Sequence, residues 1–337
     1  MEFEIPAERQ KRLRKNGYQR TRYEVAVGLD AKGELAILEE ALWLRPLQPP
    51  SASRQRGLFP AAAHRCRGTL FADPRAGSKK VVTKRIGSAN DYFRAETTGR
   101  NNLFRLGPQR LGLANLPEDE ERFPVATWLK HTLAEGIQRL VLNSEAMRRP
   151  SPPGSPRAFQ ADGSNLPWAV QDLIESDPER FERWVEHVRT ALPDIDAIET
   201  IERPEDKHRY LRITYRTGLK APSWAVSDGT LRLLALTLVA YLPARDRIYL
   251  IEEPENGIHP QAIETVMQSL SAAYDCQILC ATHSPVILSL ADPDQVLCFA
   301  RTGEGVADIV RGSEHPQLRE WRRTTDLGTL FATGVLG

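Results

Sequence analysis

The last third of the sequence alternates short apolar segments with an amphipathic one, and this alternation restricts the fold more than any other feature. Residues 248–251 and 277–281 are apolar runs of the length of one buried strand, and residues 295–300 form a third candidate strand. Residues 261–273 have the spacing of an amphipathic helix. Short apolar strands separated by helices are typical of a parallel α/β sheet, so we predict one here.

Two acidic residues directly follow the first of these strands. Glu252 and Glu253 end the segment, and Pro254 then stops the strand. In an open parallel sheet, ligands bind at the carboxyl ends of the strands. One carboxylate there can hold Mg²⁺, and the other can deprotonate a water molecule that attacks a γ-phosphate. For this pair alone, the alternative is a surface turn with solvated acids.

The next strand ends in a polar cluster at the same edge of the predicted sheet. His283, between Thr282 and Ser284, can donate a hydrogen bond to a terminal phosphate and so sense its loss. An isolated histidine at a strand end is more often structural, and that alternative stays open.

A third polar group precedes a strongly apolar helix predicted over residues 230–241. The hydroxyl of Ser227 and the backbone amides near Gly229 can form an anion site at the helix N-terminus. Capping of the helix by Ser227 or Asp228 is the alternative.

The order of these three groups resembles the ABC-type ATPases of the RecF- and OLD-like branch, which is related to AAA and SMC proteins. SDGTLRLLAL resembles their signature motif, IYLIEEPENGIHP their Walker B motif and D-loop, and CATHSP their switch-histidine loop. The resemblance is strong over residues 227–285. It extends less specifically to DGSNLPWAVQDL, FPVATWLKHTL and TTDLGTLFATGVLG.

The resemblance implies roles for the residues of the strand ends, with ATP and Mg²⁺ as the bound species. Glu253 would be the general base, and His283 would contact the γ-phosphate. Glu252 stands where many ABC ATPases have an aspartate associated with Mg²⁺, which leaves the metal geometry open.

The remaining motif residues would work between subunits. The signature residues Ser227, Asp228 and Gly229 would contact a nucleotide bound mainly to a second subunit, and Asn256 and Gly257 would lie in the loop that crosses the dimer interface. The resemblance therefore implies a homodimer, or a hetero-oligomer with a subunit that carries a Walker A loop or a nuclease.

The Walker A loop of this family, G-x-x-x-x-G-K-[ST], has no counterpart in the sequence. The chain contains no Gly-Lys dipeptide, and RAGSKK at residues 75–80 is interpreted as a hairpin turn. We therefore expect the first strand and the phosphate loop to be absent, which would leave apolar sheet surface exposed. The chain would then be a fragment or carry a wrong start, be one half of a split ATPase, or be a degenerate subunit.

The predicted fold is α/β, a P-loop NTPase-like sheet of the ABC type with a helical insertion and an N-terminal antiparallel β region. We assign residues 1–110 to the β-rich part, 111–210 to the helical insertion and 211–337 to the ATPase core. Strands are expected within residues 22–44, around a turn at Asp30–Gly33, at 69–72, 80–86 and 211–215. Helices are expected over 123–147, 166–174 and 178–192, the last capped by Asp177.

Composition adds little about partners. The net charge of +1 argues neither for nor against nucleic acid, and no apolar run approaches the roughly 20 residues of a membrane span. Without a signal sequence or a metal-binding cysteine pattern, we expect a cytoplasmic protein. DNA contact is a hypothesis for residues 9–15 and for Arg148, Arg149 and Arg157.

Two functions follow as expectations. The first is an ATP-hydrolysing subunit in DNA repair or anti-phage defence, incomplete without a Walker A loop. The second is a degenerate, non-hydrolytic scaffold that binds a partner protein or DNA.

Overall fold

The structure is a computed structural model that describes residues 1–13, 17–47, 71, 77–88, 90–243, 247–273, 276–301, 305, 307–315, 318 and 326–334. The chain divides into two compact units, Met1–Glu135 and Gly136–Gly337. The strand predicted over residues 69–72 lies almost entirely outside the described residues.

The first unit is built on a six-stranded antiparallel sheet with strand order β1-β2-β3-β4-β5-β6. Its strands are β1 (Glu2–Glu4), β2 (Tyr18–Leu29), β3 (Leu35–Pro46), β4 (Lys79–Arg85), β5 (Tyr92–Arg94) and β6 (Asn101–Leu103). Its helices are α1 (Ala7–Gln10) and α2 (Pro124–His131). The predicted hairpin around Asp30 is confirmed, since β2 and β3 pair antiparallel and Gly33 takes a positive φ of 78° in the turn.

One buried carboxylate caps helix α2 in this unit. Glu96 accepts hydrogen bonds from the backbone amides of Val125 and Ala126, both at 2.8 Å. Burial raises the pKa of Glu96 to about 7, although these two hydrogen bonds act in the opposite direction.

Among the described residues, the second unit contains three small sheets and most of the helices. Its strands are β7 (Ile137–Leu140), β8 (Ile195–Glu202), β9 (Arg209–Tyr215), β10 (Lys220–Pro222), β11 (Arg247–Glu252), β12 (Cys276–Ala281), β13 (Leu297–Arg301) and β14 (Ala307–Arg311). Its helices are α3 (Ser144–Arg148), α4 (Leu166–Ser176), α5 (Pro178–Ala191), α6 (Asp228–Val239), α7 (Pro260–Ser271), α8 (Pro285–Ser289) and α9 (Leu327–Ala332).

A parallel sheet in the order β12-β11-β7 carries the predicted motifs, and a second sheet, β10-β9-β8, is antiparallel. The predicted α/β class, with an antiparallel N-terminal region and a parallel sheet, is confirmed. Helix α5 begins as predicted, because the Asp177 side chain accepts a hydrogen bond from the Arg180 amide at 3.0 Å and Pro178 occupies the first turn.

The two faces of the parallel sheet differ in their burial. On one face, Tyr249 and Ile251 of β11 belong to a large apolar cluster that includes α6 and α7. On the other face, Leu279 is 44% exposed and Ile137 is 38% exposed, with Leu250 half-buried beside Leu279. The sequence predicts exposed apolar sheet surface of this kind. That the exposure results from the absence of the first strand and the phosphate loop stays a prediction.

Two predictions about secondary structure are wrong. The helix predicted over residues 123–147 ends with α2 and a π-helical turn at Thr132–Gly136, and β7 follows as a strand parallel to β11. The third strand of the predicted parallel sheet, β13, instead pairs antiparallel with β14 in a sheet of its own. For β7, pairing with the distant β11 overrides the local spacing of apolar residues. β13 pairs instead with β14, the next strand along the chain.

No helix within the described ranges combines the length and the apolar character that crossing a bilayer requires.

Candidate functional site

A cavity of about 510 Å³ opens at the carboxyl ends of β11 and β12. Four of the predicted site residues line it: Glu252, Glu253, Asn256 and His283. Strand β11 delivers the two acids because it ends at Glu252, and β12 delivers His283 because it ends two residues earlier, at Ala281. The cavity therefore lies where ligands bind in parallel α/β sheets.

Glu253 occupies an unusual backbone position at the mouth of this cavity. Its φ is 45°, in the left-handed region that non-glycine residues seldom adopt. The conformation is held by the Glu253 amide, which donates to the Ala281 carbonyl at 2.7 Å, and by the Asn256 carboxamide, which donates to the Glu253 carboxylate. The Glu253 side chain stays exposed, so its carboxylate is accessible from the cavity.

Glu252 forms an ion pair across the sheet with Arg139 of β7, at 3.0 Å. Both side chains are more than half exposed, so this contact is weak and exchangeable. Within the described residues, no group of three or more His, Cys, Asp or Glu side chains converges on a point. A single accessible carboxylate still fits Mg²⁺ in a nucleotide site, because Mg²⁺ there uses one or two carboxylates together with phosphate oxygens and water.

The segment after β12 that carries His283 is tied to the loop after β11. The Thr282 hydroxyl donates to the Glu255 carboxylate at 2.6 Å, and the Ser284 amide donates to the Thr282 hydroxyl at 2.9 Å. These bonds fix the chain on both sides of His283, whose side chain is exposed in the cavity wall.

Glu255 also affects the thiol beneath it. Burial, reinforced by the charge of Glu255, raises the pKa of Cys280 to about 11, so this thiol stays protonated at neutral pH. Glu255, the third acid of the EEPE segment, also joins the two loops through its hydrogen bond from Thr282. The sequence analysis missed this role, and the only signal for it was the position of Glu255 three residues after Glu252.

Ser227, Asp228 and Gly229 lie beside the cavity rather than in its wall. Ser227 caps α6, its hydroxyl oxygen accepting from the Thr230 amide at 3.1 Å. Asp228 is paired with Arg148 at 2.6 Å, and Gly229 packs against the backbone of Gly257. The capping interpretation of Ser227 is therefore correct, and the proposed nucleotide contact remains a separate prediction.

Two arginines in the cavity wall were not predicted. Arg139 comes from β7, and Arg232 comes from the second turn of α6, where its guanidinium donates to the Leu142 carbonyl at 3.3 Å. Neither carries a local sequence signal, because an exposed arginine on a strand or helix is ordinary. Together they give the acid-lined cavity two positive charges.

The sequence matches the protein family described as "AAA domain, putative AbiEii toxin, Type IV TA system" over residues 72–289, more than half of the chain. The chain belongs to this AAA family. The match includes residues 227–229, both strand ends and the residues that line the cavity. The chain thus contains an AAA ATPase-like domain, a class that in general binds a nucleotide together with a divalent metal.

Three solved structures show distant similarity to the AAA protein. One comes from work on the ATP-driven dimerisation and DNA-stimulated activation of SMC ATPases, with 18% identity, 46% of this chain and 99% of that chain covered, and a TM-score of 0.34. The second is an Smc head domain bound to the C-terminal domain of ScpA, derived from Pyrococcus furiosus, with 19% identity, coverages of 42% and 36%, and a TM-score of 0.33. The third is an Smc head domain from Pyrococcus yayanosii, with 18% identity, coverages of 45% and 31%, and a TM-score of 0.28.

The chain thus spans about a third of the length of the two Smc head structures, and at these TM-scores we base no argument on the similarities. No curated protein gives a significant match.

Proposed function

We propose that the cavity at the ends of β11 and β12 is the γ-phosphate end of an ATP hydrolysis site, of the ABC type found in the RecF- and OLD-like branch. One observation carries the proposal: the two acids at the end of β11, Glu252 and Glu253, line the same cavity as His283 after β12. An AAA family member with that arrangement has a general base, a cation ligand and a hydrogen-bond donor to the γ-phosphate within one site.

Glu253 is the general base in this proposal. Its carboxylate takes a proton from water while the water oxygen bonds to the γ-phosphorus and the bond to the β–γ bridging oxygen breaks. The hydrogen bond from Asn256 restricts the Glu253 side chain and so orients it for this step. His283, exposed in the same wall, donates a hydrogen bond to the γ-phosphate and loses it when the phosphate leaves.

Glu252 is the proposed Mg²⁺ ligand. Bound Mg²⁺ would neutralise the charge on the phosphate oxygens, and Glu252 would hold it after releasing Arg139. The released Arg139 guanidinium would remain in the cavity wall, where it can pair with a phosphate oxygen.

The site is proposed to need a second subunit. Asp228 is exposed, as is the cap of α6 at Ser227, and Gly229 keeps the first turn of α6 against the loop that carries Asn256 and Gly257. We infer that a nucleotide held mainly by another subunit contacts Ser227 and Gly229, in a homodimer or a hetero-oligomer.

We also propose that the phosphate-binding loop comes from outside the described residues, on another segment or on a partner. Within the described part of the second unit, β12 pairs only with β11, so its other edge is open to a further strand. A strand added there in parallel would end beside the cavity, since the carboxyl ends of parallel strands share one edge.

The test is ATP turnover with and without candidate partners, in the wild type and in Glu253→Gln. Loss of the base should lower turnover at least about 100-fold. Glu264→Gln is the matched control, because Glu264 is an exposed carboxylate on α7 that does not line the cavity. Its one hydrogen bond among the described residues is with Gln268, at 3.1 Å. Turnover that survives Glu253→Gln unchanged would contradict the proposal.

A biological role in DNA repair or anti-phage defence follows only from the branch that the motifs resemble. It is tested by deleting the gene together with its neighbours and measuring survival after DNA damage and plating of phage. Indifference to both treatments would remove this part of the proposal.

A further inference from the structure

A second cavity, of about 490 Å³, lies apart from the residues that line the first. We call it the Arg–Trp pocket, and its lining consists of Glu145, Arg148, Arg149, Pro150, Arg203 and Trp224. Its volume falls in the range of about 300–1,000 Å³ that is usual for pockets that hold small organic ligands. The proposed ATP hydrolysis uses none of these side chains.

The indole of Trp224 is the most unusual member of this pocket, because it is 48% exposed. It lies in a 3₁₀ turn at Ser223–Ala225 and contacts the Tyr210 ring, with 4.9 Å between centroids. The Trp224 carbonyl also accepts a hydrogen bond from Arg148 at 3.1 Å. The ring therefore contacts Tyr210 while about half of Trp224 stays exposed where it lines the pocket, which suits stacking against a planar ligand.

The three arginines differ in how firmly they are paired. Arg148 bonds to Asp228, and Arg203 bonds to Asp206 at 3.1 Å. No hydrogen bond or ion pair of the exposed Arg149 side chain is found among the described residues, and Glu145 is the one acid in the pocket lining. One guanidinium is thus available at once, and the other two can exchange a half-exposed carboxylate for a phosphate.

We propose that the Arg–Trp pocket binds single-stranded nucleic acid, with one base stacked on Trp224 and the adjacent phosphates paired with Arg148, Arg149 and Arg203. An exposed aromatic ring next to guanidinium groups is how proteins hold unpaired bases without reading their sequence. A double helix keeps its bases stacked inside and cannot reach the indole. An acidic peptide would use the arginines but leave the ring without a partner.

The matched control for charge is Arg157. Like Arg149 it is an exposed arginine of the second unit, but it is held by Asp172 at 2.8 Å and by Glu175 at 2.7 Å and does not line the pocket. The sequence alone placed Arg148, Arg149 and Arg157 together as possible DNA contacts, and the structure separates Arg157 from the other two.

The test is fluorescence anisotropy of a labelled single-stranded oligonucleotide, titrated with the full chain in the absence of ATP. Failure of the proposed hydrolysis therefore does not affect the result. Trp224→Ala and Arg149→Ala should each weaken binding about tenfold, and Arg149→Ala should also reduce the dependence on salt by about one phosphate contact. Trp224→Phe keeps an aromatic face and should retain most of the affinity, while Arg157→Ala should bind like the wild type.

A gain of affinity is also expected. Asp228→Asn removes the carboxylate that competes for Arg148, so this variant should bind the oligonucleotide a few times more tightly than the wild type. The proposal is overturned if Trp224→Ala and Arg149→Ala bind as well as the wild type. It is equally overturned if poly-glutamate displaces the oligonucleotide at the same concentration of charge.

Discussion

Gly229, in the first turn of α6, lies so close to the loop after β11 that a β-carbon on it would stand 2.7 Å from the carbonyl oxygen of Gly257. Two segments 28 positions apart in the sequence thus meet backbone to backbone. Only glycine permits this approach, because the atom that limits it belongs to main chain and cannot rotate away. The contact fixes the proposed signature segment relative to the proposed D-loop.

Replacing Gly229 by alanine should separate these two segments. We expect Gly229→Ala to lower the free energy of unfolding by about 1–3 kcal/mol, the usual cost of overpacking, and to lower any ATP turnover. Chemical denaturation measures the first effect. Gly107→Ala is the control, since a β-carbon at Gly107 meets no atom within 4 Å and its φ is not positive. Equal stability of both variants would contradict this account of Gly229.

A substitution that relieves the strained backbone at Glu253 should stabilise the protein but remove the proposed catalytic base. A positive φ disfavours glutamate but not glycine, so Glu253→Gly should be more stable than the wild type by up to about 1 kcal/mol while it loses the proposed base. Lys207 has a φ of 60° in an exposed turn, and Lys207→Gly should be stabilised to a similar degree with its activity intact. A Glu253→Gly variant that is clearly less stable would contradict the interpretation of strain.

The ion pair between Arg139 and Glu252 should compete with the cation. Arg139→Gln should change the free energy of unfolding by less than about 1 kcal/mol, because the pair is exposed. It should nevertheless lower the Mg²⁺ concentration at which ATP turnover is half-maximal, since Glu252 no longer has to release a guanidinium. A titration of turnover against Mg²⁺ measures this, and an unchanged midpoint would argue against Glu252 as the ligand.

The free energy of unfolding should decrease as the pH rises from about 4.5 to about 7, because Glu96 loses its proton over this range. The folded state raises the pKa of Glu96 from 4.5 to about 7, so it keeps the proton to a higher pH than the unfolded chain. The resulting stabilisation is complete below pH 4.5, is lost as the pH approaches 7 and is constant above. Its full size is about 3 kcal/mol.

Denaturation of the wild type and of Glu96→Gln across this pH range isolates that contribution. The difference in the free energy of unfolding between the two proteins should change with pH, because glutamine does not titrate. A difference that stays constant would mean that Glu96 is ionised throughout the range.

The parts of the fold that the sequence predicted are those with strong local patterns. β11 and β12 are short, apolar and bounded by polar residues, and α5 has both a capping aspartate and a proline in its first turn. The cavity-lining acids and His283 were predictable for the same reason, since the side chains that follow two parallel strands share one sheet edge.

The missed elements depend on distant partners or on irregular spacing. In and just after β7, Ile137, Leu140 and Val141 recur at helical steps. The pairing of β7 with β11, more than 100 residues later, decides that it is a strand. That pairing sets Arg139 opposite Leu250, so its side chain reaches Glu252 two positions further along the same face of β11. β8 escaped prediction because a shift in register between Ile195 and Ala197 breaks the alternation that marks a strand.

The face of the parallel sheet that holds Leu279 and Ile137 has a practical meaning for work with this protein. Exposed aliphatic side chains beside an open strand edge promote aggregation. In cells, chaperones bind such surfaces and proteases degrade the proteins that carry them. Overproduced by itself, the polypeptide should therefore be recovered mainly in inclusion bodies. Its yield in the supernatant should rise when a companion that shields Leu279 is made in the same cell.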